Sequence, residues 1–458
     1  MSDRAFDLPA PEGYARPLAA AWLKLAVLAL LGSGLFSILL VLSRTPGIHE
    51  VITLVDFFHT ALVVHVDLSV VIWFLAFAGV FWSLNSEVRD ARAERLAWVL
   101  TATGTAVIAL SPFLGAGRPL LNNYVPVLQH PLFYAGGALV LGGFLLLAVR
   151  SLVTAVPRDR DSASGVMRWG LYYSVIVSLV AVAALLASFL LVPRSLEAQA
   201  YFEFLFWGGG HVLQFTHTLL LLVAWLWLAE RAGLGPHVSP RRGVLLFLLV
   251  AAPVLAVPVI YLMDGVVTAF HRTAFTELMR WGGLATLPLG WVVLRAVLFG
   301  RGRKPDGDEA RIARSALYAS MVLFAAGGVI GFLIQGANVV IPAHYHGSIV
   351  GVTLAFMGVA YILLPRLGFG VPMPRLARWQ PMVYGGGQLM HIVGLAVSGG
   401  YGNIQRKTAG AAQGLRDLPE IIGMGFMGLG GLISIIGGIL FLVVMIRAIW
   451  LRQAGPDR

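Results

Sequence analysis

Long apolar runs separated by short polar stretches set the pattern of this chain. Twelve of them reach the length of about 20 apolar residues that a bilayer-spanning helix needs. They lie roughly at 19–43, 54–84, 94–115, 132–155, 168–193, 201–229, 241–263, 273–299, 312–336, 343–365, 380–401 and 421–449. Several are longer than a bilayer requires, which permits tilt. Gly, Ser and Thr recur inside them, as close helix packing in lipid needs. No soluble domain and no internal repeat stands out. The expected architecture is all-α: one twelve-span bundle over residues 19–451, a cytoplasmic segment at 1–18 and a cytoplasmic tail at 452–458.

Charge sets the orientation. Loops after even-numbered spans carry Arg89, Arg92 and Arg95; Arg158 and Arg160; Arg241 and Arg242; Arg301, Arg303, Lys304 and Arg311; Arg366, Arg375 and Arg378. Loops after odd-numbered spans are poorer, with Arg44, Arg118, Arg194 and Arg272 mostly alone. The positive-inside rule therefore places both termini in the cytoplasm. The loop after span eleven departs from it, holding Arg406, Lys407 and Arg416 on the outer side.

Composition agrees. Of 458 residues, 58% are hydrophobic and 12% charged, with mean hydropathy +0.82, which is the polytopic membrane class. The net charge of +11 is spread over loops rather than gathered in a patch, so nucleic acid is not an expected partner and membrane lipid is. Cysteine is absent, which excludes disulfides, thiolate-held copper, Fe–S clusters and covalently attached haem. The stretch before Ala19 is polar and contains acids, unlike a signal peptide.

Histidines inside apolar segments carry the candidate chemistry, because hydrocarbon disfavours unpaired polar groups. His344 and His346 are separated by a single residue near the outer end of span ten. Residues i and i+2 of a helix point about 200° apart. They cannot share one metal from one face, but can hold two metals on opposite flanks. The competing reading is a pair of structural histidines bonded to neighbouring helices. His65 in span two and His211 in span six fall at comparable depth, about 15 Å below the outer end for His65. Facing helices of a bundle build cofactor sites from such inward side chains.

Ala343-His344-Tyr345-His346, with its tail to Leu364-Pro365-Arg366, resembles span ten of subunit I of the haem-copper oxidase superfamily, which includes cytochrome oxidases and nitric oxide reductases. Val64-His65-Val66-Asp67-Leu68 matches that family's span-two pattern, and Trp207-Gly-Gly-Gly-His211 its span-six segment. Gln388-Leu-Met-His391-Ile-Val-Gly-Leu-Ala followed by Gln405-Arg406-Lys407 resembles span eleven with its outer basic pair. The resemblance implies two haems, a low-spin one on His65 and His346 and a high-spin one on His344. It implies that Arg406 and Lys407 hold haem propionates, and that His211 binds a non-haem iron or copper facing the high-spin haem. It further implies the bacterial inner (cytoplasmic) membrane, and a cytochrome c-type or cupredoxin-type donor subunit on the outer face.

Two departures bear on the substrate. Where the family carries adjacent histidines in span seven, this chain reads Val259-Ile260-Tyr261-Leu262-Met263-Asp264-Gly265. Where oxidases commonly place a tyrosine one turn after the span-six histidine, it has Phe215, and Leu213 stands at the glutamate position. Tyr261 and Asp264 are helix-face neighbours and with His211 offer one nitrogen and several oxygen donors, a set suited to iron more than copper(I). In the competing reading Asp264 starts an Asp-Gly turn and Tyr261 is an interfacial anchor. Without the tyrosine, expectation leans to a nitric oxide reductase. The alternatives are dioxygen reduction, or a haem-binding subunit with no second metal. His217 is expected to pack or to pair with a neighbour, and Glu277 and Arg280 to form an ion pair or relay protons; His271 is expected to be solvated, the competing reading being an unorthodox ligand. Glu203 and Asp67 are further proton candidates.

Overall fold

The computed structural model describes residues 5–10, 12–42, 57–87, 91–115, 117–156, 158–300, 306–335, 338–402 and 418–451. Fifteen α-helices follow in order: α1 (Ala15–Leu42), α2 (Phe57–Val66), α3 (Trp73–Leu84), α4 (Arg92–Leu110), α5 (Pro131–Val153), α6 (Ala163–Leu191), α7 (Ala198–Arg231), α8 (Pro240–Ala251), α9 (Val257–Met263), α10 (Ala269–Gly282), α11 (Leu287–Phe299), α12 (Gly307–Phe332), α13 (Val340–Arg366), α14 (Pro374–Gly402) and α15 (Leu418–Trp450). A two-stranded antiparallel hairpin, β1 (Pro119–Leu120) and β2 (Val127–Leu128), links α4 to α5.

Eleven helical stretches among the described residues are long and apolar enough to cross a membrane. Three are composite. α2 runs into α3 through a π-helical turn at Asp67–Ile72. α8 and α9 join through a tight 3₁₀ turn at Ala252–Ala256, and α10 and α11 through another at Gly283–Thr286. Pro253 and Pro258 cannot donate to the ladder, which explains the first. The expected span eleven is one helix, α14, but Gly385, Gly386, Gly387, Gln388 and His391 dilute its apolar character and it falls outside that set. Arg406 and Lys407 lie outside the described residues.

The helix starts carry recognisable caps. Ser162 accepts from the Gly165 amide at 3.0 Å and Thr268 from the His271 amide at 3.2 Å, each satisfying an orphan donor of a first turn.

The chain gathers into two compact units, Met1–Val223 with Val238–Trp291, and Ala224–His237 with Val292–Arg458. In the first, α4 and α5 are tied by a buried ion pair, Arg150 to Glu94 at 2.5 Å, both side chains at most 5% exposed. Ser83 donates to the other Glu94 oxygen and Arg150 donates to Ser86 at 2.8 Å. In the second, α12, α13 and α14 enclose a core that includes Leu323, Ala343, Val350, Leu354 and Ile392. α13 is central, with 89% of its apolar window buried, against 22% for Ala269–Phe299.

Candidate functional site

In the second unit the histidine pair leaves α13 on two different sides. His344 turns to α12, where its Nδ1 lies 2.8 Å from the Gly327 carbonyl. His346 turns toward α14, its ring 5.0 Å from that of His391. A carbonyl only accepts, so Nδ1 of His344 carries the proton and Nε2 the lone pair. His391 is held the same way by the Met427 carbonyl at 3.0 Å. Glycines make this approach possible. A Cβ on Gly331 would meet His344 Nδ1 at 2.6 Å, and one on Gly347 would meet the Gly327 backbone at 2.5 Å. Small residues let the backbones close up.

In the first unit His65 is anchored by α1. Its Nδ1 is 2.9 Å from both the Ser33 and Ser37 hydroxyls and 3.0 Å from the Ser33 carbonyl. The π-helical turn starts two residues later, and π-bulges are frequent at functional sites. Asp67, in that turn, is 2% exposed, and neither carboxyl oxygen has a hydrogen-bond partner. His65, His344 and His346 are each half-buried, so their rings remain reachable.

His211 lies on α7 beneath the β1–β2 hairpin. Its Nδ1 contacts the Trp207 carbonyl at 2.7 Å, and its ring is 5.0 Å from Tyr124 and 4.7 Å from Trp207. Each residue of the Gly208-Gly209-Gly210 run admits a neighbour. An added Cβ would strike the Tyr261 hydroxyl at 2.3 Å, the Ala181 carbonyl at 3.0 Å and the Tyr124 ring at 2.3 Å. Glu203 accepts from the Asn123 amide and Gln199 donates to the Leu121 carbonyl, fixing the hairpin on α7.

The two oxygen donors expected in this region differ in their surroundings. Tyr261 donates to the Ala184 carbonyl at 2.8 Å and its hydroxyl pairs with Ser188 at 2.7 Å. Asp264 is exposed and accepts from the Gly265 amide at 2.8 Å, the Asp-Gly turn of the competing reading. Among the described residues no three His, Asp or Glu side chains are grouped so as to hold a metal ion. Glu277 pairs with Arg280 at 3.0 Å and accepts from Trp281 at 2.7 Å, both partners of the ion pair being exposed. His217 packs on Phe74 at 4.6 Å.

His271 corrects the sequence expectation. It is fully buried rather than solvated, and neither ring nitrogen has a hydrogen-bond partner. The sequence places it six residues past the glycine of an Asp-Gly step (264–265), which reads as exposed turn. The signal for burial lies in Phe270 and Phe275 around it, and periodicity over one helical turn cannot choose between those faces. Ser33, Ser37 and Tyr124 carry no signal in the sequence, and His391 stands there only as part of the span-eleven motif. Only a tertiary neighbour gives each of them a role.

Imidazoles oriented from behind by carbonyls and hydroxyls, on facing helices of a bundle, are the arrangement from which helical proteins build metal and cofactor sites. Residues 18–440 match the family described as Cytochrome C and Quinol oxidase polypeptide I, and the chain belongs to that family. It is 28% identical to the uncharacterized protein RP382 of Rickettsia prowazekii (strain Madrid E), over 94% of this chain and 96% of the relative. It is also 28% identical to an uncharacterized protein of Aquifex aeolicus (strain VF5), over 79% of this chain and 88% of that one. Its fold resembles that of a heme-copper terminal oxidase solved as a dimer, with TM-score 0.65 at 16% identity, covering 96% of this chain and 84% of that chain. The chain is thus an all-α, multi-pass membrane protein of the haem-copper oxidase subunit I type.

Proposed function

We propose that this chain is the haem-bearing catalytic subunit of a membrane terminal reductase, with His65 and His346 as the axial pair of a low-spin haem and His344 as the single axial ligand of a high-spin haem. The observation that carries the reading is the shared posture of His65 and His344. Each presents Nδ1 to a backbone carbonyl, which fixes the tautomer, sets the ring plane and leaves Nε2 as the lone-pair nitrogen. Metal-ligating histidines are oriented in this way. The bound haem supplies the redox chemistry. The chain's own part would be to hold the haems through the Nε2 atoms of these histidines, each steadied from behind by its Nδ1 contact.

Nitric oxide reduction is the favoured reaction. Phe215 replaces the tyrosine that oxidases use to complete dioxygen cleavage, and Phe215 is itself packed, 2% exposed. Reducing two molecules of nitric oxide to nitrous oxide takes two electrons and two protons and needs no such donor. Electrons would come from a cytochrome c-type or cupredoxin-type partner, since the chain has no cysteine for a haem c or thiolate copper of its own. The membrane is the bacterial inner membrane, with both termini cytoplasmic.

The test is gas consumption by purified protein with ascorbate and a soluble mediator as donor. Nitric oxide uptake with nitrous oxide released, and little dioxygen uptake, is expected. Dioxygen uptake without nitric oxide turnover would contradict the substrate, and protein lacking haem would contradict the whole reading.

A further inference from the structure

His271 is the one imidazole among the described residues that is fully buried with both ring nitrogens unpartnered. Burying a polar group without a hydrogen bond costs roughly 1–3 kcal/mol on protein-based scales, so something is expected to pair it. No neighbouring side chain does. Its ring is wedged edge-on against Tyr261 at 4.9 Å and Phe275 at 4.9 Å. The Tyr261 hydroxyl is spent on Ser188 and Ala184. Thr268 caps the His271 backbone amide and does not reach the ring nitrogens. The same Phe275 ring lies 5.8 Å from that of His211. His211 in turn keeps its proton on Nδ1 through the Trp207 carbonyl, leaving Nε2 with a lone pair.

We infer that His211 and His271 are the imidazole pair of a non-haem metal site in the first unit, His271 standing where the chain lacks the family's span-seven histidines. Imidazole nitrogens suit first-row transition ions such as iron and copper. Two imidazoles are fewer than the three protein ligands usual in catalytic metal sites, so solvent or a small exogenous ligand would complete the coordination. The assignment replaces Tyr261, whose hydroxyl is already engaged, and Asp264, which is exposed in an Asp-Gly turn. The proposal deepens the reductase reading by naming the ligands of its second metal, and the two can fail separately.

The experiment is metal content per haem after loading with iron(II) or copper(II) and desalting, in wild type and three variants. His211→Phe and His271→Phe should lose the non-haem metal while keeping wild-type haem. His217→Phe, which removes another buried imidazole with an unpartnered nitrogen, should keep both. Copper(II)-loaded wild type should show nitrogen hyperfine splitting from a pair of imidazoles, a readout independent of whether any variant folds. Retention of the metal in His271→Phe, its loss in His217→Phe as well, or splitting from a single nitrogen would overturn the assignment. So would wild type that holds its haems and no further metal. Wild type without haem would instead sink the earlier reading.

Discussion

At the scale of single residues, the proposed haem ligands are steadied by atoms behind the histidines. Two serine hydroxyls and a carbonyl converge on Nδ1 of His65. Removing second-layer partners of metal-bound histidine typically weakens binding about 10–100-fold. Ser33→Ala with Ser37→Ala should therefore lower retention of the low-spin haem and shift its midpoint potential, read by redox titration, while the carbon monoxide-reactive haem is unchanged. Unaltered potential and content would remove the serines from this role. Outside the membrane, Asp159 offers a pH test. Burial pushes its carboxyl up, but hydrogen bonds from the Ser162 hydroxyl and the Asp161 and Ser162 amides, with the Arg168 charge, outweigh that and hold it below the usual value. A lowered value means stabilisation present at neutral pH and lost as pH falls through it. Protection of the amides at the start of α6, measured against their intrinsic exchange at each pH, should fall in acid, and Asp159→Asn should abolish that dependence.

The haem-ligand candidates were legible from the chain because histidine is rare in apolar runs and the one-residue spacing dictates opposite flanks. His344 facing α12 and His346 facing α14 bear out that geometry. The burial of His271 was not legible, since the Asp-Gly step that ends six residues before it imitates a solvated turn. Nor was the commitment of Tyr261, whose acceptor at Ala184 is 77 residues away in sequence.

Helices meet closely at glycines, and α4 and α5 also share a buried ion pair. Gly327 packs so closely on α13 that a Cβ would lie 2.4 Å from the Ser348 amide nitrogen. Gly327→Leu should cost about 1–3 kcal/mol of overpacking and displace His344, whose proton is held by that residue's carbonyl. The expected result is selective loss of the carbon monoxide-reactive haem, seen in the reduced difference spectrum. The Glu94–Arg150 pair has the opposite character. Glu94→Ala would strand a buried guanidinium at about 3–5 kcal/mol, lowering the unfolding temperature in detergent, whereas Glu94→Leu with Arg150→Met should recover most of it. Element boundaries were read well where apolar runs end at charge or proline. The π-helical turn at Asp67–Ile72 was invisible, because the apolar residues Leu68, Val70, Val71 and Ile72 read equally well as unbroken helix.

For the whole molecule, the apolar pattern and the ordered histidines carried the class, and the family match over residues 18–440 bears it out. The substrate was harder to read, because it depends on what surrounds His211 in three dimensions. The central claim is that the two histidines of α13 serve different haems. It is tested most directly by optical spectra of the reduced protein with and without carbon monoxide, comparing wild type with His344→Ala and His65→Ala. The account predicts low-spin bands plus a carbon monoxide shift in wild type, loss of the shift alone in His344→Ala, and loss of the low-spin bands alone in His65→Ala. A colourless wild type, or a full carbon monoxide shift surviving in His344→Ala, would contradict it.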